Sequence, residues 1–178
     1  NGITKTEKEM DKYDIITHPN PILRRKAKKV TVFDKDFQEL IEDMFVIMRE
    51  APGVGLAAPQ IGISQKVVVV EYADPEKDEE KPKAYVLVNP EIIYHSDETT
   101  EDLEGCLSVP GLVGRVERWD AVTVKAQNRF GKSVKIKAEG WLARIFQHEI
   151  DHLDGVLYID KATEVFEPSD EDLENVVD

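Results

Sequence analysis

Residues 141–155 read Trp141-Leu142-Ala143-Arg144-Ile145-Phe146-Gln147-His148-Glu149-Ile150-Asp151-His152-Leu153-Asp154-Gly155, and this stretch decides both the fold and the chemistry. Trp141, Leu142, Ile145, Phe146, Ile150 and Leu153 recur at helical spacing, which predicts a helix over 141–154. Gly155 ends it, glycine being the residue that most readily takes the left-handed conformation after a last turn. The polar positions collapse to one stripe, Arg144, Gln147 and Asp151, so the helix is buried on most sides and its two histidines are interior.

Histidines at i and i+4 share a helix face, so His148 and His152 can reach one metal ion. Glu149 lies one position on, beside the ion rather than bound to it. There it can take a proton from water whose pKa a divalent metal lowers to about 7. The competing explanation is a pair of histidines hydrogen-bonded within a core. Two ligands do not complete a site, and a metzincin continuation would place a third histidine where this chain has Tyr158, a rare ligand. A thermolysin-like site would take a downstream glutamate, but no convincing helix carries Glu164 or Glu167. His18 and His95 lie in polar, turn-like contexts. Cys106 is the remaining soft ligand, and its thiolate suits Zn²⁺ or Fe²⁺. As the single cysteine it forms no intramolecular disulfide, although a lone cysteine can also be a small buried apolar residue.

Cys106 sits in Glu104-Gly105-Cys106-Leu107-Ser108-Val109-Pro110-Gly111. Gly105 lets backbone come close to the metal, and the stretch ahead of Pro110 is extended, offering backbone N–H groups to a ligand. A third segment, Gly53-Val54-Gly55-Leu56-Ala57-Ala58-Pro59-Gln60, is small enough for backbone to approach a ligand and ends in a side-chain amide that can donate a hydrogen bond.

Further out, Phe37, Leu40, Ile41, Met44 and Met48 predict an amphipathic helix over 34–50, with Asp36 and Glu39 as a capping box and Pro52-Gly53 as its stop. Val67 to Val70 is a continuous apolar run of strand length. Residues 74–83 form a charged loop and 84–88 a second strand. Val122, Val124 and Ala126, then Val134, Ile136 and Ala138, alternate with polar residues around a turn at 128–132, which predicts a hairpin. Helices that do not alternate with antiparallel strands make the class α+β, with antiparallel sheets around a central metal-binding helix. The 178 residues suit one domain over 15–163, preceded by a polar extension, 1–14, and followed by an acidic tail, 164–178. That tail, with seven acidic residues and no basic one, reads as a short solvated helix or as disordered.

A net charge of −13 argues against nucleic acid as a direct ligand, and the basic cluster Arg24-Arg25-Lys26-Ala27-Lys28-Lys29 reads as a solvated charged segment. No stretch approaches the roughly 20 apolar residues that span a bilayer. The expected location is bacterial cytoplasm, or an organelle if Asn1 marks a trimmed transit peptide.

The three segments together resemble the peptide deformylase signatures GxGxAAxQ, EGCLS and QHExDH. All occur complete and in family order, and the resemblance covers about residues 15–163. It implies removal of the formyl group from the N-terminal formyl-methionine of new polypeptides, with release of formate. It implies one divalent metal on Cys106, His148 and His152, commonly Fe²⁺, with Zn²⁺, Ni²⁺ or Co²⁺ able to occupy the site, and with water at the fourth position. Glu149 is then the general base and acid, and the Gln60 amide and Leu107 N–H stabilise the oxyanion. Val54 and Gly55, with Gly105 in the second signature, lie along the peptide substrate, and Ile145 is a wall of the methionine pocket or ordinary core. Asp151, on another helix face from His152, is expected to pair with a basic group such as Arg118.

The partners implied are formyl-methionyl nascent peptides and a transient ribosome contact, with no specific DNA binding and no membrane. Enterobacterial members carry a longer basic C-terminal helix implicated in ribosome docking, and here that end is short and acidic. Two other readings are a zincin-type peptidase, which would not need Cys106, and a structural metal staple, which would need a closed set of four ligands.

Overall fold

In the computed structural model, residues 13–77 and 81–173 are described. The expected polar extension lies almost wholly outside them, as do residues 174–178.

Helix α1, Lys35–Glu50, follows the predicted periodicity, burying Phe37, Leu40, Ile41, Met44, Phe45 and Met48. Its N-cap differs from the expected capping box. Asp34, not Asp36, occupies the cap, and its carboxylate accepts from the Phe37 N–H at 3.0 Å. Strand β1, Gly55–Ala57, runs antiparallel to β2, Val67–Tyr72. All four valines of β2 are buried because both faces of the strand are covered. Val67 and Val69 pack with α1, while Val68 and Val70 pack with the histidine-bearing helix. A strand covered on both faces reads as a continuous apolar run, as this one does.

Strand β3, Lys83–His95, is longer than the expected 84–88. It passes through Asn89-Pro90 by breaking register between Val88 and Glu91 and again between Ile92 and Tyr94. Pro90 cannot donate to a ladder, so a strand tolerates it only at such an irregularity. Asn89 takes a positive φ of 51° there, and its side chain accepts from the Val30 N–H (2.8 Å) and donates to the Val30 carbonyl (2.9 Å). His95 therefore closes a strand rather than a turn, stacked on Trp119 with ring centroids 3.9 Å apart.

Strands β4, Thr99–Cys106, and β5, Val109–Trp119, form a long hairpin that the sequence pattern does not announce. The hairpin of β6, Ala121–Gln127, and β7, Ser133–Glu139, matches expectation, with Val124 opposite Ile136. Helix α2, Gly140–Leu153, follows; then come one turn of helix, α3, Tyr158–Lys161, strand β8, Glu164–Phe166, and a last helical turn, α4, Asp170–Leu173. The acidic end thus starts as a strand, against the reading of solvated helix or disorder, because β8 pairs with β5 through Val113–Phe166, Gly114–Val165 and Arg115–Glu164.

The strands build two antiparallel sheets, β1-β2-β3-β6-β7 and β4-β5-β8. Helix α2 packs on strands of both, so the expected α+β arrangement around a central helix is what forms. Among the described residues no helix is long and apolar enough to cross a membrane.

The end of α2 is fixed by close backbone contact. Ala27 N–H donates to the Leu153 carbonyl at 2.8 Å, and Gly155 turns at φ +75°. A Cβ on Gly155 would lie 2.4 Å from the Arg24 carbonyl oxygen. Gly155→Ala therefore combines left-handed strain with a backbone clash, and we expect it to lower the unfolding free energy by at least about 1–3 kcal/mol. Urea unfolding at unchanged m-value measures the loss.

Candidate metal centre

Residues 148 and 152 stand one turn apart on α2, and both rings are buried. Cys106 comes to them from the end of β4, also buried. The cysteine sulfur and one nitrogen of each histidine all lie within 4.8 Å of one another. Cys106 Sγ is 3.4 Å from His152 Nε2, close to the roughly 3.5 Å separation of a sulfur and a nitrogen bound tetrahedrally to one zinc-like ion. Two segments distant in sequence thus deliver one soft and two borderline donors to a single point.

The state of each donor follows from its surroundings. His148 Nδ1 donates to Glu104 Oε1 at 2.7 Å, which turns Nε2 towards the cluster, where it has no hydrogen-bond partner. Burial opposes protonation of His148, but the neighbouring Cys106 and Glu104 more than offset it and raise its pKa. Burial, then the positive charges of His148 and Arg118, pushes His152 well below the ordinary imidazole range and keeps it neutral, the form that ligates. An orphaned buried nitrogen, a neutral imidazole and a cysteine sulfur suit a borderline divalent metal such as Zn²⁺ or Fe²⁺.

Glu104 is the residue that sequence reasoning missed, although it stands inside a quoted signature. It has no accessible surface. Besides His148, it accepts from Arg118 Nε and Nη2, both at 2.8 Å, and from Arg144 Nη1 at 2.6 Å. Burial alone would raise its pKa, yet the hydrogen bonds from Arg118 and His148 hold it far below the carboxylate range. The available signal was Arg144. An arginine on a helix apolar almost all round demands a buried counter-charge. The expected pair of Asp151 with Arg118 forms at 2.6 Å. The polar stripe of α2 is consequently more buried than its composition suggests, with Arg144 and Gln147 both inaccessible. Gln147 spends its amide on the backbone N–H and carbonyl of Trp119.

Glu149 is buried, with Oε1 4.0 Å from His148 Nε2. Gly55 on β1 makes room for it, since a Cβ there would sit 2.9 Å from Glu149 Cγ and Oε1. Gln60 follows β1 in a short 3₁₀ turn, Ala58–Ile61. Its side-chain Oε1 accepts from the Ala57 N–H at 2.9 Å, which aims Nε2 at Ser108 Oγ (3.2 Å) and Cys106 Sγ (3.6 Å). Gly105 is buried beside Cys106, and Leu107 is half-buried in the turn after it. Val54 is half-buried and its carbonyl accepts from the Glu71 N–H at 2.9 Å. Ile145 has no accessible surface and packs in the core between α2 and the larger sheet.

A cleft of about 1300 Å³ opens elsewhere, along Asp102, Trp119, Trp141 and the 74–77 segment. It touches the cluster only through Arg118 and Arg144, which bind Glu104.

Residues 12–167 match the sequence model of the polypeptide deformylase family. The peptide deformylase of Natranaerobius thermophilus is 54% identical over 152 residues, covering 85% of this chain and 93% of that one. Peptide deformylase 1 of Bacillus subtilis is 48% identical over 152 residues, covering 85% and 91%. The crystal structure of peptide deformylase from Thermotoga maritima superposes with a TM-score of 0.79 at 42% identity, covering 85% of this chain and 98% of that one. Sequence match, superposition and the convergence of cysteine with two helix histidines agree, and the chain belongs to the peptide deformylase family.

Proposed function

We infer that Cys106, His148 and His152 hold one divalent ion, natively Fe²⁺, and that this centre hydrolyses the formyl amide of N-terminal formyl-methionine on new polypeptides. The observation that carries the reading is the approach of three buried donor atoms to within 4.8 Å from two separate segments. Their softness admits Zn²⁺, Ni²⁺ or Co²⁺ as substitutes. Three protein ligands rather than four favour a catalytic over a stapling role.

When bound, the ion supplies Lewis acidity, polarising the formyl oxygen and making water a nucleophile near neutral pH. The chain's own groups do the rest. Glu149 takes the proton from the water that adds to the formyl carbon. As the C–N bond breaks it gives that proton to the leaving amine, so that formate and a free methionine N-terminus result. The negative charge that gathers on the formyl oxygen is met by the Gln60 amide, already aimed at the ligand sulfur, and by the Leu107 N–H. Val54 immediately precedes β1 and Gly55 opens it; β1 is an edge strand of its sheet, where peptide substrate can align, and Gly105 gives it clearance beside Cys106.

The catalytic unit we assign is residues 15–163, and the location bacterial cytoplasm. A transient ribosome contact is the further partner proposed.

A peptide beginning with formyl-methionine should release formate, while its unformylated twin should not be cut internally. Chelation should abolish the release with the far-UV spectrum unchanged, and restored metal should recover it. Cleavage of the unformylated peptide would favour a general peptidase instead. Glu149→Gln should keep one equivalent of metal and lose about 10²–10⁴ in kcat; near-normal turnover removes Glu149 from its role. Glu104→Gln leaves two buried guanidinium groups short of charge, so a stability loss of about 3–5 kcal/mol is expected, read by denaturant titration. Metal affinity should fall about 10–100-fold in the same variant.

A further inference from the structure

Tyr158 occupies the position where a metzincin would carry its third histidine, and nothing in the chemistry above uses it. The side chain is buried, 2% exposed, in a cluster with Cys106, Val109 and Leu157. Its ring lies nearly parallel to that of His148, at 19°, with centroids 6.1 Å apart. Its hydroxyl does not point to the ligand cluster as a fourth donor would; it donates to the Leu112 carbonyl on β5 at 3.1 Å. The same ring presses on β5 at Gly114, where a Cβ would come within 3.0 Å of Tyr158 Cε2. Gly114 pairs directly with Glu104 on β4, and Val109, at the start of β5, pairs with Cys106.

These contacts put one side chain between the two halves of the centre. On one side its ring runs nearly parallel to an imidazole of α2, and on the other it is pinned to the hairpin that carries both Cys106 and Glu104. The hydrogen bond from His148 Nδ1 to Glu104 fixes one atom of the imidazole but leaves the ring free to tilt about that bond. A flat group lying along the ring face removes the tilt, and only both constraints together aim Nε2. We propose that Tyr158 is a positioning residue of the metal centre, in which the flat ring, held between α2 and β5, sets the plane of His148. The proposal rests on the metal site assigned above. Its test is chosen to read metal retention and geometry, while formate release by the unmodified protein tests the activity separately.

Two variants separate ring from hydroxyl. Tyr158→Met keeps apolar volume without a flat face, and Tyr158→Phe keeps the face without the hydroxyl. Wild type and variants are loaded with Co²⁺, and the visible and sulfur-to-metal bands are recorded, followed by release of the ion to a chelator. We expect Tyr158→Met to shift or weaken the bands and to release metal about 10–100 times faster, as losses around metal ligands typically do. Tyr158→Phe should restore the wild-type spectrum, with release within about threefold, because the ring contact survives. A folded Tyr158→Met protein, by near-UV circular dichroism, with wild-type bands and release rate would overturn the proposal. Where Tyr158→Met does not fold, Tyr158→Phe decides alone. Accelerated release with altered bands from a protein that keeps its ring would equally overturn it, and wild-type values would uphold the ring as the positioning element.

Discussion

The structure depends on one buried carboxylate. Removing a carboxylate from water costs several kcal/mol even after relaxation, and only complete pairing offsets it. Glu104 meets that condition by accepting two hydrogen bonds from Arg118, one from Arg144 and one from His148. Two guanidinium groups thus face two carboxylates, the buried Glu104 and the part-exposed Asp151, with Lys161 meeting Asp151 from the solvent side. These guanidinium groups and carboxylates sit on β4, β5 and α2, so charge neutrality and docking of the small sheet on the helix are one requirement. Because Glu104 precedes Cys106 by two residues on the same strand, the same network carries the sulfur to the histidines.

The elements legible in the sequence are those whose pattern is set locally or by plain apolar burial. Helix α2 announces itself because Ile145, Phe146, Ile150 and Leu153 meet the larger sheet and because two histidines four apart must share a face. The valines of β2 form an unbroken run because α1 and α2 cover opposite faces. The β4–β5 hairpin is illegible by the same logic. Its buried positions include Glu104, Arg118 and Ser108, each satisfied by a partner remote in sequence, so no alternation of apolar and polar residues marks it. Strand β8 was hidden for a different reason. Glu164 and Val165 belong to an acidic run, and what orders them is ladder hydrogen bonding to β5, which side-chain composition does not record.

The candidate site divides along the same line. The histidine pair on α2 and the neighbouring Glu149 follow from one helical turn, and Cys106 follows from its being the one cysteine the sequence offers. What holds them was out of reach. Asp151, the acid nearest His152 in sequence, serves Arg118, and the carboxylate that serves a histidine comes from another strand and binds His148 instead. Gly55 shows the converse. Read as room for a substrate, it is also room for Glu149, whose carboxylate fills the space a Cβ would take.

The two imidazoles are prepared for a cation by opposite means. His152 is neutral because burial and the nearby positive charges exclude a proton, so its lone pair is available at once. His148 is driven the other way by Glu104 and Cys106, which favour positive charge at its ring. That preference makes no distinction between a proton and a metal ion at Nε2. A carboxylate on the far nitrogen that strengthens the hold on one strengthens the hold on the other, as partners of ligating histidines do. The arrangement therefore carries a built-in competition at His148 and none at His152. In the proposed site an ion at Nε2 would also meet the sulfur and the second imidazole, whereas a proton there finds no hydrogen-bond partner, so position decides the competition.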